Sequence, residues 1–182
     1  MKFIILFISI ILLGLIIYTL LQPDRFRVSR SIVVNVSPQQ IFPQIDNLRN
    51  FNQWNPWAKM DPKSKETFDG PDHGVGAKMS WEGSPKVGKG SMTITEVRSN
   101  EYVQCEMKFI EPMAAVHTAE FNLHKDAAND VTTVTWSLSG ENGFFGKLMS
   151  LIFSQDKMIG EPFEQGLKEL KERLESETAS AS

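Results

Sequence analysis

The sequence predicts an α+β fold in which a curved antiparallel sheet wraps around a long C-terminal helix. Two short helices follow the first strand, and an apolar helix precedes the domain. Three observations carry this. Between Ala77 and Leu138, apolar and polar residues alternate through successive segments, the period of half-buried strands. From Phe144 to Glu177, apolar residues recur at helical spacing. From Phe3 to Leu21 there is no charge.

The N-terminal run is Ile, Leu and Phe, interrupted only by Ser9, Gly14, Tyr18 and Thr19. A helix of this length rises about 28 Å, close to the roughly 30 Å hydrocarbon core of a bilayer. A cleaved signal peptide has a shorter apolar region and a small-residue cleavage site. Here the run ends in Gln22-Pro23-Asp24-Arg25. A buried core helix shows an apolar stripe, whereas these residues are apolar on every face. The reading is a single transmembrane anchor over residues 1–22 and a linker over 23–25. Lys2 lies on one side, and Arg25, Arg27 and Arg30 on the other with Asp24 among them. The positive-inside rule therefore leans toward a cytoplasmic domain by one charge and leaves the side open.

Composition narrows the function. With 19 basic and 22 acidic residues the net charge is −3, against the basic excess of a nucleic-acid binder. The single cysteine, Cys105, excludes an intramolecular disulfide and any CxxC motif. Residues 26–176 form one domain, and the small polar tail over 177–182 is expected to be disordered.

Arg27 to Val36 is the first strand, with Val28, Ile32, Val34 and Val36 in one phase. Ser37-Pro38 supplies an N-cap and a proline at the first helical position. It opens a short helix carrying Ile41, Phe42 and Ile45. Leu48 to Trp54 is the second short helix, ended by Pro56. Residues 56–76 read as loop with a short strand around Glu66–Phe68. Ala77, Met79 and Trp81 share an inward phase, and Gly83–Gly90 is a hairpin turn. Met92 and Ile94 follow, then Val103 to Phe109, His117 to Leu123 and Val134 to Leu138, as an antiparallel meander. A single helix from Phe144 to Glu177 closes the chain, with Pro162 expected to kink it. A one-sided sheet needs a cover, and this helix is the element long enough to supply it, leaving a cavity between them.

These elements, with Ser31-Ile-Val-Val-Asn-Val-Ser-Pro38, Asn52-Gln-Trp-Asn-Pro-Trp57, Met60-Asp-Pro62, Gly74-Val-Gly-Ala77, Trp81-Glu-Gly83, Val87-Gly-Lys-Gly90, Thr135-Trp-Ser-Leu-Ser-Gly140 and Phe163-Glu-Gln-Gly-Leu-Lys-Glu-Leu170, carry a resemblance. The chain resembles the START-like, or SRPBCC, superfamily in its polyketide cyclase/dehydrase and lipid-transport branch. It is most similar to bacterial members with an N-terminal membrane helix. The resemblance spans residues 26–174 and implies a helix-grip fold, an apolar cavity and a bacterial inner-membrane address. It carries no catalytic motif onto this chain, and fold does not settle activity. No cofactor is expected.

The motifs that suggest chemistry dissolve on inspection. Gly83-Ser-Pro-Lys-Val-Gly-Lys89 lacks the Ser or Thr of a P-loop and lies between strands. In His117-x-x-Glu120-x-x-x-His124, strand alternation sends His117 to one face and the other two to the opposite face, so no metal site is expected. Cys105 lies in the apolar phase, as an inert small hydrophobe. The sequon Asn35-Val-Ser37 falls in a predicted strand.

The expected cavity residues are Trp81, Met92, Met107, Phe109, Phe121 and Trp136 from the inward strand phases, Trp54 and Trp57 from the short-helix region, and Met149 from the last helix. Trp54 and Trp57 either cap the mouth or pack the short helices on the sheet. Arg30 and His117 are the polar residues in apolar phase. Each either meets the polar head of a ligand or sits at the sheet rim, and an inward Arg30 needs a carboxylate, phosphate or water. Phe144 to Phe153 is apolar on nearly every face, which suits a gate, a bilayer contact or a wide core contact. The expected function is a membrane-anchored domain that binds a lipid or other hydrophobic small molecule without catalysis. A cyclase/dehydrase-type enzyme with His117 as its acid or base, and a protein-interaction module at the membrane, are the alternatives.

Overall fold

The computed structural model describes residues 2–129, 131–150 and 154–180. Helix α1 (Lys2–Leu20) precedes strand β1 (Arg25–Val34). Four short helices follow: α2 (Pro38–Ile41), α3 (Pro43–Asp46), α4 (Leu48–Trp54) and α5 (Pro56–Met60). The remaining strands are β2 (Lys65–Asp69), β3 (Lys78–Glu82), β4 (Lys89–Arg98), β5 (Tyr102–Glu111), β6 (Ala115–Asp126) and β7 (Val131–Glu141). Helices α6 (Phe144–Ser150) and α7 (Gln155–Ser180) complete the described chain.

The strands form one antiparallel sheet in the order β1-β7-β6-β5-β4-β3-β2. The meander therefore runs outward from β7 to β2, and β1 pairs with the last strand. Helix α7 packs mainly on β1, with lesser contacts to β7, α4 and α5. The concave face is thus covered at the β1–β7 side. Val34, Ile41, Trp54, Phe121 and Leu170 are fully buried there.

The structure corrects the sequence reading in three places. Two short helices become four, because Pro43 and Pro56 each open a new helix at its first position. A proline there needs no hydrogen bond and arrives with helical φ, so it starts a helix as readily as it ends one. Asn55 caps the last of them by accepting from Trp57 N at 3.2 Å. The expected single helix over 144–177 is two helices. Ser154 stands outside both, and its carbonyl accepts the first backbone bonds of α7 from Lys157 N at 3.1 Å and Met158 N at 3.0 Å. The intervening residues 151–153 lie outside the described residues. Helix α7 runs through Pro162 and continues to Ser180, so residues 177–180 are helical where the sequence predicts a disordered tail. Hydroxyl bonds such as Thr178 Oγ1 to Leu174 O at 2.9 Å accompany that last turn.

Helix α1 is apolar on all sides, with Phe3, Phe7, Ile10, Leu13 and Ile17 exposed. The side chains of Lys2, Ile5 and Leu12 are outside the described residues, and counted over the rest no helix is long and apolar enough to cross a membrane.

Candidate ligand-binding site

Strand register places one row of residues across the whole concave face: Phe68, Met79, Met92, Met107, His117, Gly140 and Phe26 are successive partners from β2 to β1. The next row, toward the end where β1 begins, is Trp81, Gly90, Phe109 and Ala115. Met79 and Met92 are buried. Phe26, Trp81, Met107, Phe109 and His117 are only half-buried. They form a half-open apolar bay. Its rings make an unbroken chain, from Trp81 to Phe109 at 6.0 Å, on to His117 at 5.4 Å, and on to Phe26 at 5.0 Å between centroids.

Two glycines shape the floor. A Cβ on Gly90 would stand 2.6 Å from Trp81 Cζ2, and one on Gly140 would overlap His117 Cδ2. Each ring therefore leans across a glycine on the neighbouring strand, and a side chain there would push it off the sheet. Trp81 is pinned further, because Nε1 donates to Val87 O at 3.2 Å in the hairpin turn. His117 Nδ1 is buried and has no hydrogen-bond partner among the described residues. Burial also lowers the imidazole pKa and so favours the neutral ring. The bay thus presents aromatic and thioether surface, with the unsatisfied His117 Nδ1 buried behind it.

The other expected site residues lie elsewhere. Trp136 stacks on Phe163 of α7 at 4.0 Å and 13°, and on Phe121 at 5.1 Å and 28°. Trp54 meets Trp136 edge-on at 5.5 Å and Trp57 does so at 5.9 Å. Trp54, Met92, Phe121 and Trp136 are at most 3% exposed. Trp54, Phe121 and Trp136 fill the space between sheet and helix, and Trp54 ties the short helices in through Nε1 to Gln44 O at 3.0 Å. Trp57, half-buried, packs on Phe163 at the same cluster. The Met149 side chain lies outside the described residues.

Arg30 points inward and meets α7. Its Nη2 pairs with Asp156 Oδ2 at 2.8 Å and its Nε with Glu164 Oε1 at 2.5 Å. These hydrogen bonds raise the Arg30 pKa and lower that of Asp156. Gly160 stands between the two acids on the helix, and a Cβ there would overlap the guanidinium. The charge that an inward arginine requires is supplied by the protein, and Arg30 clamps β1 to α7.

Glu120 lies on the convex face. Burial opposes its ionisation, but hydrogen bonds from Tyr102, Arg27 and Ser137 outweigh this and lower its pKa. Among the described residues no group of three or more His, Cys, Asp or Glu is placed to hold a metal. A separate open groove of about 310 Å³ runs between α5 and α7 past Pro56, Met60 and Gly166. The Lys59–Glu169 ion pair at 2.8 Å joins two of its lining residues.

Sequence reasoning missed Phe26, Gly90, Gly140 and Gly160. Each had a signal. Phe26 is in phase with Val28, the two strand glycines lie next to predicted aromatic partners, and Gly160 is four residues from both Asp156 and Glu164.

Solved structures share this fold. A protein from Nitrosospira multiformis superposes with TM-score 0.59 at 18% identity, covering 85% of this chain and 99% of its own. One from Chromobacterium violaceum gives 0.57 at 14%, over 85% and 99%. The Aha1 dimer from Colwellia psychrerythraea gives 0.55 at 17%, over 82% and 96%. Identities this low show the fold alone. No curated protein matches the sequence. The family described as polyketide cyclase / dehydrase and lipid transport matches residues 25–175, which span the sheet, the bay and nearly all of α7. The chain belongs to this family, which is of the SRPBCC type.

Proposed function

We propose that the protein binds a lipid or other hydrophobic small molecule in the bay of Phe26, Trp81, Met107, Phe109 and His117, at a membrane that α1 spans, without catalysing a reaction on it. The observation that carries this reading is the half-open chain of aromatic rings leaning on glycines. Such rings offer a flat apolar surface at low entropic cost, and Met107 beside them adapts to ligand shape. An anchor role for α1 is supported by its apolar side chains on every face, 19 residues long. The anchor holds the domain at one membrane, bacterial inner membrane by family resemblance.

An enzymatic role would need His117 to act as a general base. A working base is held in one tautomer by a third group, and His117 Nδ1 has no such partner among the described residues. This favours binding over catalysis.

Native mass spectrometry of the full chain released from mild detergent tests the reading. The wild type should carry an apolar adduct, Trp81→Ala and Phe109→Ala should lose it, and Met60→Ala at the separate groove should keep it. A wild type with no adduct that also fails to take up apolar dyes overturns the proposal.

A further inference from the structure

The sheet has two ends, and its exposed apolar tip and its membrane helix share one of them. At the β5–β6 hairpin, Ile110 is 54% exposed, Met113 49% and Val116 58%. Register pairs Lys108 with Val116 and Phe109 with Ala115, so Ile110 and Val116 are diagonal neighbours on the convex side and Met113 sits in the turn. Adjacent large apolar side chains at a protruding hairpin mark a contact surface.

Chain geometry says what the contact is. Phe26, Gly140 and His117 lie in one register row. From His117 the hairpin runs four residues back to Met113, about 13 Å along the strand direction. From Phe26 the chain runs five residues back to Leu21, at most about 17 Å. Both excursions leave the sheet at the same end. The linker is also held to the domain. Asn142 N donates to Asp24 O at 2.7 Å, and Lys147 Nζ pairs with Asp24 Oδ1 at 2.5 Å. The end of α1 and the hairpin tip therefore both lie beyond the same end of the sheet.

We propose that the β5–β6 hairpin tip is a lipid-docking element: Ile110, Met113 and Val116 enter the interfacial layer of the bilayer that α1 spans. This rests on the anchor reading above. With helix and tip both engaged, the domain cannot swivel on its linker. Phe109, at the rim of the bay, adjoins the tip and is brought to the membrane surface with it. An apolar ligand then passes between bilayer and bay with little exposure to water. Apolar insertion beside an existing anchor needs little affinity of its own, because the anchor already fixes the local concentration.

The test uses the full chain reconstituted in phosphatidylcholine vesicles, with an environment-sensitive fluorophore on Met113→Cys, Ser9→Cys or Ser99→Cys. Native Cys105 is fully buried and stays unlabelled. Ser9 lies within α1, and Ser99 lies in the β4–β5 turn at the opposite end of the sheet. Nitroxide carried on the lipid acyl chains is the quencher. Several-fold quenching at positions 113 and 9, with none at 99, is expected. Quenching at 9 without 113 overturns the docking tip and leaves the anchor standing. Quenching at neither 9 nor 113 overturns the anchor and the tip together. Equal quenching at 99 and 113 shows adsorption without orientation and overturns the tip.

Discussion

His117 and Gly140 are strand partners, and the imidazole leans so far over the glycine that a Cβ on residue 140 would overlap Cδ2 of the ring. The ring is held in that position by Phe26 and Phe109 at either side. A methyl group added under it must lift the ring into the bay or bend the sheet.

Gly140→Ala should therefore destabilise the fold by about 1–3 kcal/mol, the usual cost of overpacking. In a His117→Ala background the same change should cost much less, because the overlapping atoms are gone. A double-mutant cycle by urea unfolding reads the coupling. Additive effects would show that the ring and the glycine are energetically independent.

His117 also links stability to pH. Its folded pKa is lowered by burial, whereas in the unfolded chain it titrates near the usual value of about 6.5. Between the two values the unfolded chain binds a proton that the folded chain does not. Stability is thus complete above about pH 6.5 and falls as the pH drops through that window. His117→Phe keeps a ring between Phe26 and Phe109 and removes the titration. Its melting temperature should vary less with pH between about 6.5 and 5 than that of the wild type. Parallel profiles for the two proteins would remove His117 as the source.

Much of this architecture was legible in the chain because strand alternation and helical spacing are local signals. The inward phases of β3 to β7 put Trp81, Met107, Phe109 and His117 on one face before any pairing was known. What could not be read was which inward residues lie under α7. Trp136 and Trp81 look alike in sequence, each in the inward phase of a strand. Only the sheet order, with β1 joining β7 at one edge, puts Trp136 beneath the helix and leaves Trp81 half-exposed. The break at Ser154 escaped for a related reason, since the apolar residues on both sides of it keep helical spacing. The sequence shows that an inward Arg30 needs a countercharge, but Asp156 and Glu164 are more than a hundred residues away along the chain.

That clamp yields a prediction with a change of sign. Gly160 lies within α7, where alanine is normally better by about 1 kcal/mol. Here a Cβ would overlap the Arg30 guanidinium and displace it from Asp156 and Glu164. Gly160→Ala should be destabilising in the wild type and stabilising in an Arg30→Ala background. Thermal unfolding of the four proteins decides it, and a stabilising effect in both backgrounds would mean that the arginine moves aside freely.

The division between core and bay makes the last prediction. Trp136 is 3% exposed, stacked between Phe163 and Phe121 and approached by Gly166 of α7. Its truncation leaves a hole that these rings cannot close, so Trp136→Ala should cost about 3–5 kcal/mol. Phe109 is half-buried at the mouth of the bay, where solvent fills what the ring leaves. Phe109→Ala should cost only about 1 kcal/mol, since much of its apolar surface is already in water. Chemical denaturation of the two variants measures the difference. Comparable losses would mean that Phe109 is as much a part of the packed interior as Trp136, and that the bay is closed in solution.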